Sequence, residues 1–208
     1  EVYERLRKNP GAFDKKMRAM ENLKKFSVRR NTIMTCVARK INEHEMEPLI
    51  KFCHENRGFI RAMHLIPLAE TWEEGEFETD VSTTSEDVER IMDRAVPEGR
   101  VEFWPAGLPG RWAEALKFFG SPKLTFGGVH PNCESATMLL SDAQQYRGLG
   151  HYTTQGLNEF AGEVTDIILR MEPRLASLDP HKPLQRTWGR LLILRALGPK
   201  LFRFLAWR

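Results

Sequence analysis

Cys36, Cys53 and Cys133 are the chain's three cysteines, far apart, and none has another three or four positions away. A self-contained zinc knuckle or a disulfide scaffold needs thiols grouped more closely, so neither is expected from this spacing. His130 precedes Cys133 by three residues. Such a pair supplies two ligands where a metal site needs more, so it reads either as half of a site completed elsewhere or as ordinary loop residues. Two further side chains have chemistry to offer. His64 lies in the alternating run Phe59 to Pro67, where an imidazole either meets a substrate or is satisfied structurally by a neighbour. Arg29 lies in a second strand-like stretch, and its guanidinium fits a substrate anion or an acidic side chain equally well.

The elements that position these residues follow from hydrophobic period. Phe13, Met17, Met20, Leu23 and Phe26 recur at helical steps, with cations between them. Ser27 to Ala38 is rich in Thr, Val and Ile and predicts a strand, with Val28, Thr32, Met34 and Cys36 on one side and Arg29, Asn31, Ile33 and Thr35 on the other. Arg39 belongs to the latter face, whose polar character suits a ligand cavity. Asn42 with Glu45 reads as a helix-capping pair before the stripe Met46, Leu49, Ile50 and Cys53, which ends near Gly58. Thr83 with Glu86 repeats the pattern before Val88, Ile91, Met92 and Ala95. Helix, strand, helix, strand, helix is the order of parallel βα units, whose functional residues gather at the carboxyl ends of the strands.

Residues 101–133 are broken by prolines and glycines and read as structured loops, followed by a short strand at Ala136 to Leu140. Leu157, Phe160, Val164, Ile167, Ile168, Met171 and Leu175 mark an amphipathic helix. In Leu184 to Arg208, Leu184, Trp188, Leu191, Leu192, Leu197, Leu201, Phe202 and Leu205 are interleaved with cations, a composition that suits a membrane interface or docking on protein. The net charge of +3 does not call for nucleic acid. No secretory signal is visible, nor any apolar run long enough to span a bilayer, and the cysteine usage leads us to expect a cytoplasmic protein, with membrane association through 184–208 as the variant. A start at Glu1 rather than Met leads us to expect sequence upstream.

The order YERLR at Tyr3 to Arg7, GAFDKKMRAMENLKK at Gly11 to Lys25, NTIMTCVAR at Asn31 to Arg39, the helix opened by Asn42, and IRAMHLIPL at Ile60 to Leu68 resembles the radical S-adenosylmethionine (SAM) superfamily. The likeness is nearest the branch containing the molybdenum-cofactor GTP cyclase and its SPASM relatives, and covers about a third of the chain. It implies an α/β fold, the C-terminal part of a parallel (β/α) partial TIM barrel in 1–100, followed by a loop-rich extension in 101–150 and C-terminal amphipathic helices in 151–208. It also implies SAM and a 4Fe–4S cluster as cofactors. In that family a CxxxCxxC loop binds the cluster, and reductive cleavage of SAM yields a radical that takes hydrogen from substrate. That loop and the glycine-rich SAM segment are not in this sequence, so the resemblance implies that an N-terminal half holds them and that this chain alone is inactive.

Residue by residue, the resemblance implies that Ile66 contacts the SAM adenine through its backbone and that Arg29 and His64 lie near a small or lipid-like substrate. HPNCESATMLLSD, from His130 to Asp142, resembles a segment of tetraether-lipid-synthase-like members, where cysteines hold an auxiliary cluster, which would make Cys133 a ligand with its partners missing. The alternative is a non-catalytic half barrel that associates with a partner protein or a membrane.

Overall fold

The computed structural model describes residues 9–68, 81–120 and 134–205. Among these the chain is a mixture of helices and short sheets, divided into two units: 1–99 with Ser141–Tyr146, and 100–140 with 147–208. The second unit therefore contains both the loop-rich stretch, apart from its residues 141–146, and the C-terminal helices.

In the first unit, α1 (Ala12–Lys25) ends in a turn that the strand pattern did not reveal. Ser27 takes a left-handed conformation (φ 56°), Val28 N–H donates to Leu23 O and Ser27 N–H to Lys24 O, which satisfies the last helical carbonyls with serine where glycine is usual. Arg30 is left-handed as well (φ 64°), so the strand begins only at Asn31 rather than Ser27. β1 (Asn31–Val37) pairs in parallel with β2 (Ile60–Pro67), Met34 opposite His64 and Cys36 opposite Ile66. Parallel pairing needs a crossover, supplied by α2 (Met46–Glu55). Ile33 and Met63, on one face of the pair, pack with Met20 of α1 and with Leu49, Phe52 and Cys53 of α2 around Phe59 and Ile60. Helix α3 (Ser85–Ala95) packs on α2 and β2.

Both expected capping pairs are displaced. Asn42 does not cap a helix: its Oδ1 accepts from Ala38 N–H at 2.8 Å and its Nδ2 donates to Cys36 O at 2.8 Å, closing the loop that leaves β1. At α3 the reciprocal box is Thr84 with Asp87, one residue later than Thr83 and Glu86. Thr83 is diverted, its Oγ1 accepting from Arg39 N–H at 3.0 Å.

The second unit is built on α5 (Leu157–Ala176) and α6 (Pro183–Phe204), after the short helix α4 (Ala113–Leu116). Phe160, Val164, Ile168, Leu175, Ile193 and Phe204 close on Ala115 and Phe118, with the Phe160 and Phe204 rings stacked 3.8 Å apart. The start of α5 lacks a side-chain cap of its own, and the Glu102 carboxylate supplies one by accepting from Leu157 N–H. The strand expected at Ala136 to Leu140 is two pieces. β3 (Trp104–Pro105) pairs antiparallel with β4 (Ser135–Ala136), and β5 (Leu139–Ser141) pairs with β6 (Tyr146–Gly148). Thr137 separates the pieces by donating to Glu102 O at 2.7 Å. A Cβ at Gly148 would stand 2.3 Å from the Arg100 carbonyl oxygen, so only glycine allows that approach.

Candidate functional site

The two faces of the β1–β2 pair differ. Ile33, Thr35, Met63 and Leu65 are half-buried. On the other face Thr32, Met34, Ala62, His64 and Ile66 are exposed, Met34 at 58% and Ile66 at 40%, with Cys36 half-buried among them. Two apolar side chains, a thiol and an imidazole thus sit together on a surface that the described residues leave open. His64 and Ile66 share it, as the period of a strand requires. The outer edge of β2 has no ladder partner among the described residues, so its backbone groups are available at the strand end where Pro67 halts pairing.

A hydrogen-bonded clasp shapes the carboxyl ends. Leu68 N–H donates to Val37 O at 2.8 Å, and Arg39 Nη1 reaches Asp87 Oδ2 at 3.4 Å. Asp87 also accepts from Thr84 N–H at 3.1 Å. That backbone donor, with the Arg39 guanidinium behind it, holds the Asp87 carboxyl below its ordinary range. Arg39 and Asn42 are thereby committed to holding the loop.

Arg29 is not at this end. It precedes β1, is exposed, and lines a cavity of about 540 Å³ with Arg30, Arg57, Gly58, Phe59, Ile60 and Arg61 at the amino ends of both strands. The common cavity expected for Arg29, His64 and Ile66 is therefore not formed: His64 and Ile66 share the open face, and Arg29 joins other arginines at the opposite end of the sheet. The physical reason is the turn at the end of α1, which takes Arg29 out of the strand and so out of its alternation.

The two described thiols, Cys36 and Cys53, do not make a cluster site. Cys53 is on the buried side of α2 and its thiol is pushed up to about 11 by loss of solvation, the reverse of what a thiolate ligand needs. Cys36 stands on the open face of β1, and no group of three potential ligands forms among the described residues. Cys133 and His130 lie outside the described residues. A buried imidazole that sequence reading did not single out, His54, meets Ser141 Oγ through Nε2 at 2.8 Å and the Tyr146 ring edge-on at 4.9 Å, anchoring the turn between β5 and β6. Arg30, Arg57 and Arg61 were missed too: Arg29-Arg30 and Arg57-Gly58-Phe59-Ile60-Arg61 are unremarkable words until parallel pairing sets them side by side.

On α6 the apolar residues divide. Ile193 and Phe204 are buried and Leu197 packs on the core, while Leu184 (87%), Trp188, Leu191, Leu194, Leu201 and Phe202 are exposed, as is Leu205 just after the helix. Among the described residues no helix is long and apolar enough to cross a membrane. Comparison with protein-family models and with curated proteins finds no match for the chain.

Proposed function

We propose that the first unit is the C-terminal part of a radical SAM partial barrel, whose full-length protein cleaves SAM reductively and abstracts hydrogen from a small or lipid-like substrate. The supporting observation is the asymmetry of the parallel β1–β2 pair, with helices on one face and His64 and Ile66 exposed on the other. In a barrel the latter face would look inward. On this reading Ile66 offers its backbone to the adenine and His64 stands near substrate, while Arg29 is excluded by its position at the amino ends. The described residues hold no group of three potential ligands and the sequence has no CxxxCxxC motif, so on this reading the 4Fe–4S cluster would be held by an N-terminal half of the full-length protein. Two measurements test the reading. The full-length protein, reconstituted anaerobically with iron and sulfide, should release 5′-deoxyadenosine from SAM. Ile66→Arg, a substitution at an exposed position, should abolish SAM binding without lowering stability. Absence of a CxxxCxxC motif upstream would end the proposal.

One observation favours a second reading, a non-catalytic binding or assembly domain. Helix α6 carries five cations, no acidic residue, and an exposed face containing Leu184, Trp188, Leu191 and Leu194. Leucines and an indole bordered by arginines suit anionic lipid headgroups, so this reading assigns 184–208 a peripheral membrane contact. Co-sedimentation with phosphatidylserine vesicles at low salt tests it, and no binding there removes the membrane contact.

A further inference from the structure

The cavity at the amino ends of β1 and β2 is independent of either reading, and four of its seven lining residues are arginines. Arg29 and Arg30 enter from the turn before β1, Arg57 from the turn before β2 and Arg61 from the first residues of β2, and no carboxylate is among its lining residues. These groups are held together. Asn31 Nδ2 donates to Val28 O at 3.1 Å and to Phe59 O at 3.2 Å, tying the first arginine pair to the second segment. Arg57 Nη1 donates to His54 O at 3.0 Å, which fixes one edge of its guanidinium while others remain for a ligand. Lys24 lies beside them, its Nζ hydrogen-bonded to Asn56 Oδ1 and 5.5 Å from the Phe59 ring centroid. Gly58, where an added Cβ would meet nothing within 4 Å, leaves the floor open.

Four like charges around one concavity repel one another unless an anion is between them. Guanidinium groups are the side chains best matched to phosphate oxygens, which they bind through paired hydrogen bonds. The concavity is half open to solvent, so a small ligand can reach the arginines directly. Four cations exceed what a single carboxylate or monoanion would compensate, so the ligand should carry several charges close together. We propose that this cavity binds the diphosphate or polyphosphate group of a small phosphorylated ligand.

Inorganic pyrophosphate is the first probe, titrated calorimetrically into the full chain at low and moderate salt, with inorganic phosphate for comparison. Saturable binding with one site is expected, tighter for pyrophosphate than for phosphate. Arg57→Gln and Arg61→Gln should each weaken it about tenfold, the loss of one charge-assisted interaction. The pair Arg29→Gln with Arg30→Gln should do so independently. Arg186→Gln with Arg195→Gln, on α6, should leave it unchanged. All four cavity arginines are exposed, so these variants should retain the parent's thermal melt. The proposal is overturned if pyrophosphate does not saturate or if the α6 variants lose as much affinity as the cavity variants. It is overturned equally if a single-stranded oligonucleotide binds through these arginines more tightly than pyrophosphate, since that would make the cavity part of a longer backbone track.

Discussion

At Gly189 α6 lies close against the Phe118 ring, and replacing this glycine with alanine should destabilise the unit. A Cβ there would lie 2.3 Å from Phe118 Cδ1 and 2.5 Å from Cε1, whereas carbon atoms at ease stand about 3.5–4.0 Å apart. The ring or the helix would have to yield by more than an ångström. Phe118 is only 2% exposed and packed within the core, so the ring has little room. Overpacking of this kind costs about 1–3 kcal/mol, and contact with three ring carbons at once argues for the upper part of that range. Against it stands the preference of a helix interior for alanine over glycine, about 1 kcal/mol. Gly162, inside α5, isolates the two terms: an added Cβ there meets nothing within 4 Å, so Gly162→Ala should gain the helical preference alone. The difference between the variants is then the overpacking cost, about 2–3 kcal/mol, with Gly189→Ala less stable than the parent by about 1–2 kcal/mol. Urea unfolding followed by circular dichroism, with hydrogen exchange of α6 amides as the local readout, measures both. Phe118→Leu in the Gly189→Ala background should restore part of the loss, a positive coupling in the double-mutant cycle. A Gly189→Ala variant as stable as Gly162→Ala would refute the packing argument.

Three further outcomes are expected. Thr165→Val should cost about 1–3 kcal/mol because it leaves the Trp112 indole N–H, now donating to Thr165 Oγ1 at 2.9 Å, without an acceptor; Thr165→Ser should recover most of this in urea melts. Asp87, whose folded value lies below the ordinary one, stabilises α3 above the unfolded aspartate value, and that increment is lost as pH falls through the folded value. The stability difference between the parent and Asp87→Asn should therefore shrink in acid melts, and a difference constant with pH would show that Asp87 acts without its charge. Cys53, with its thiol near 11, holds about one thiolate in a thousand at pH 8 and should resist iodoacetamide in the native protein, reacting only on unfolding, as mass spectrometry of the labelled peptide can tell.

Much of the local structure was legible in sequence because it depends on period and length. The stripe Met46, Ile50 and Cys53 became the buried side of α2, and Val88, Ile91 and Met92 that of α3, since apolar residues spaced by a turn have one face to hide. The pairing of His64 with Ile66 on one strand face followed from alternation alone. Boundaries were less accessible. Thr83 and Thr84 are equivalent as words, and the choice between them was made by Arg39, 44 residues away along the chain, whose N–H claims the Thr83 hydroxyl.

The amphipathic period of α5 and the apolar richness of α6 were determined by sequence, but which side of α6 is covered was not: leucines and aromatics occur all around it, and packing against Phe118 and the apolar face of α5 selects the buried side. The same holds for the arginines. Arg30 and Arg57 are 27 positions apart, and nothing local joins them; the parallel register that sets Asn31 opposite Ile60 brings their charges to one cavity. Side-chain alternation is a property of a few consecutive residues and can be read along the chain, whereas convergence of distant charges depends on which strands pair and where helices turn, which the packed core decides.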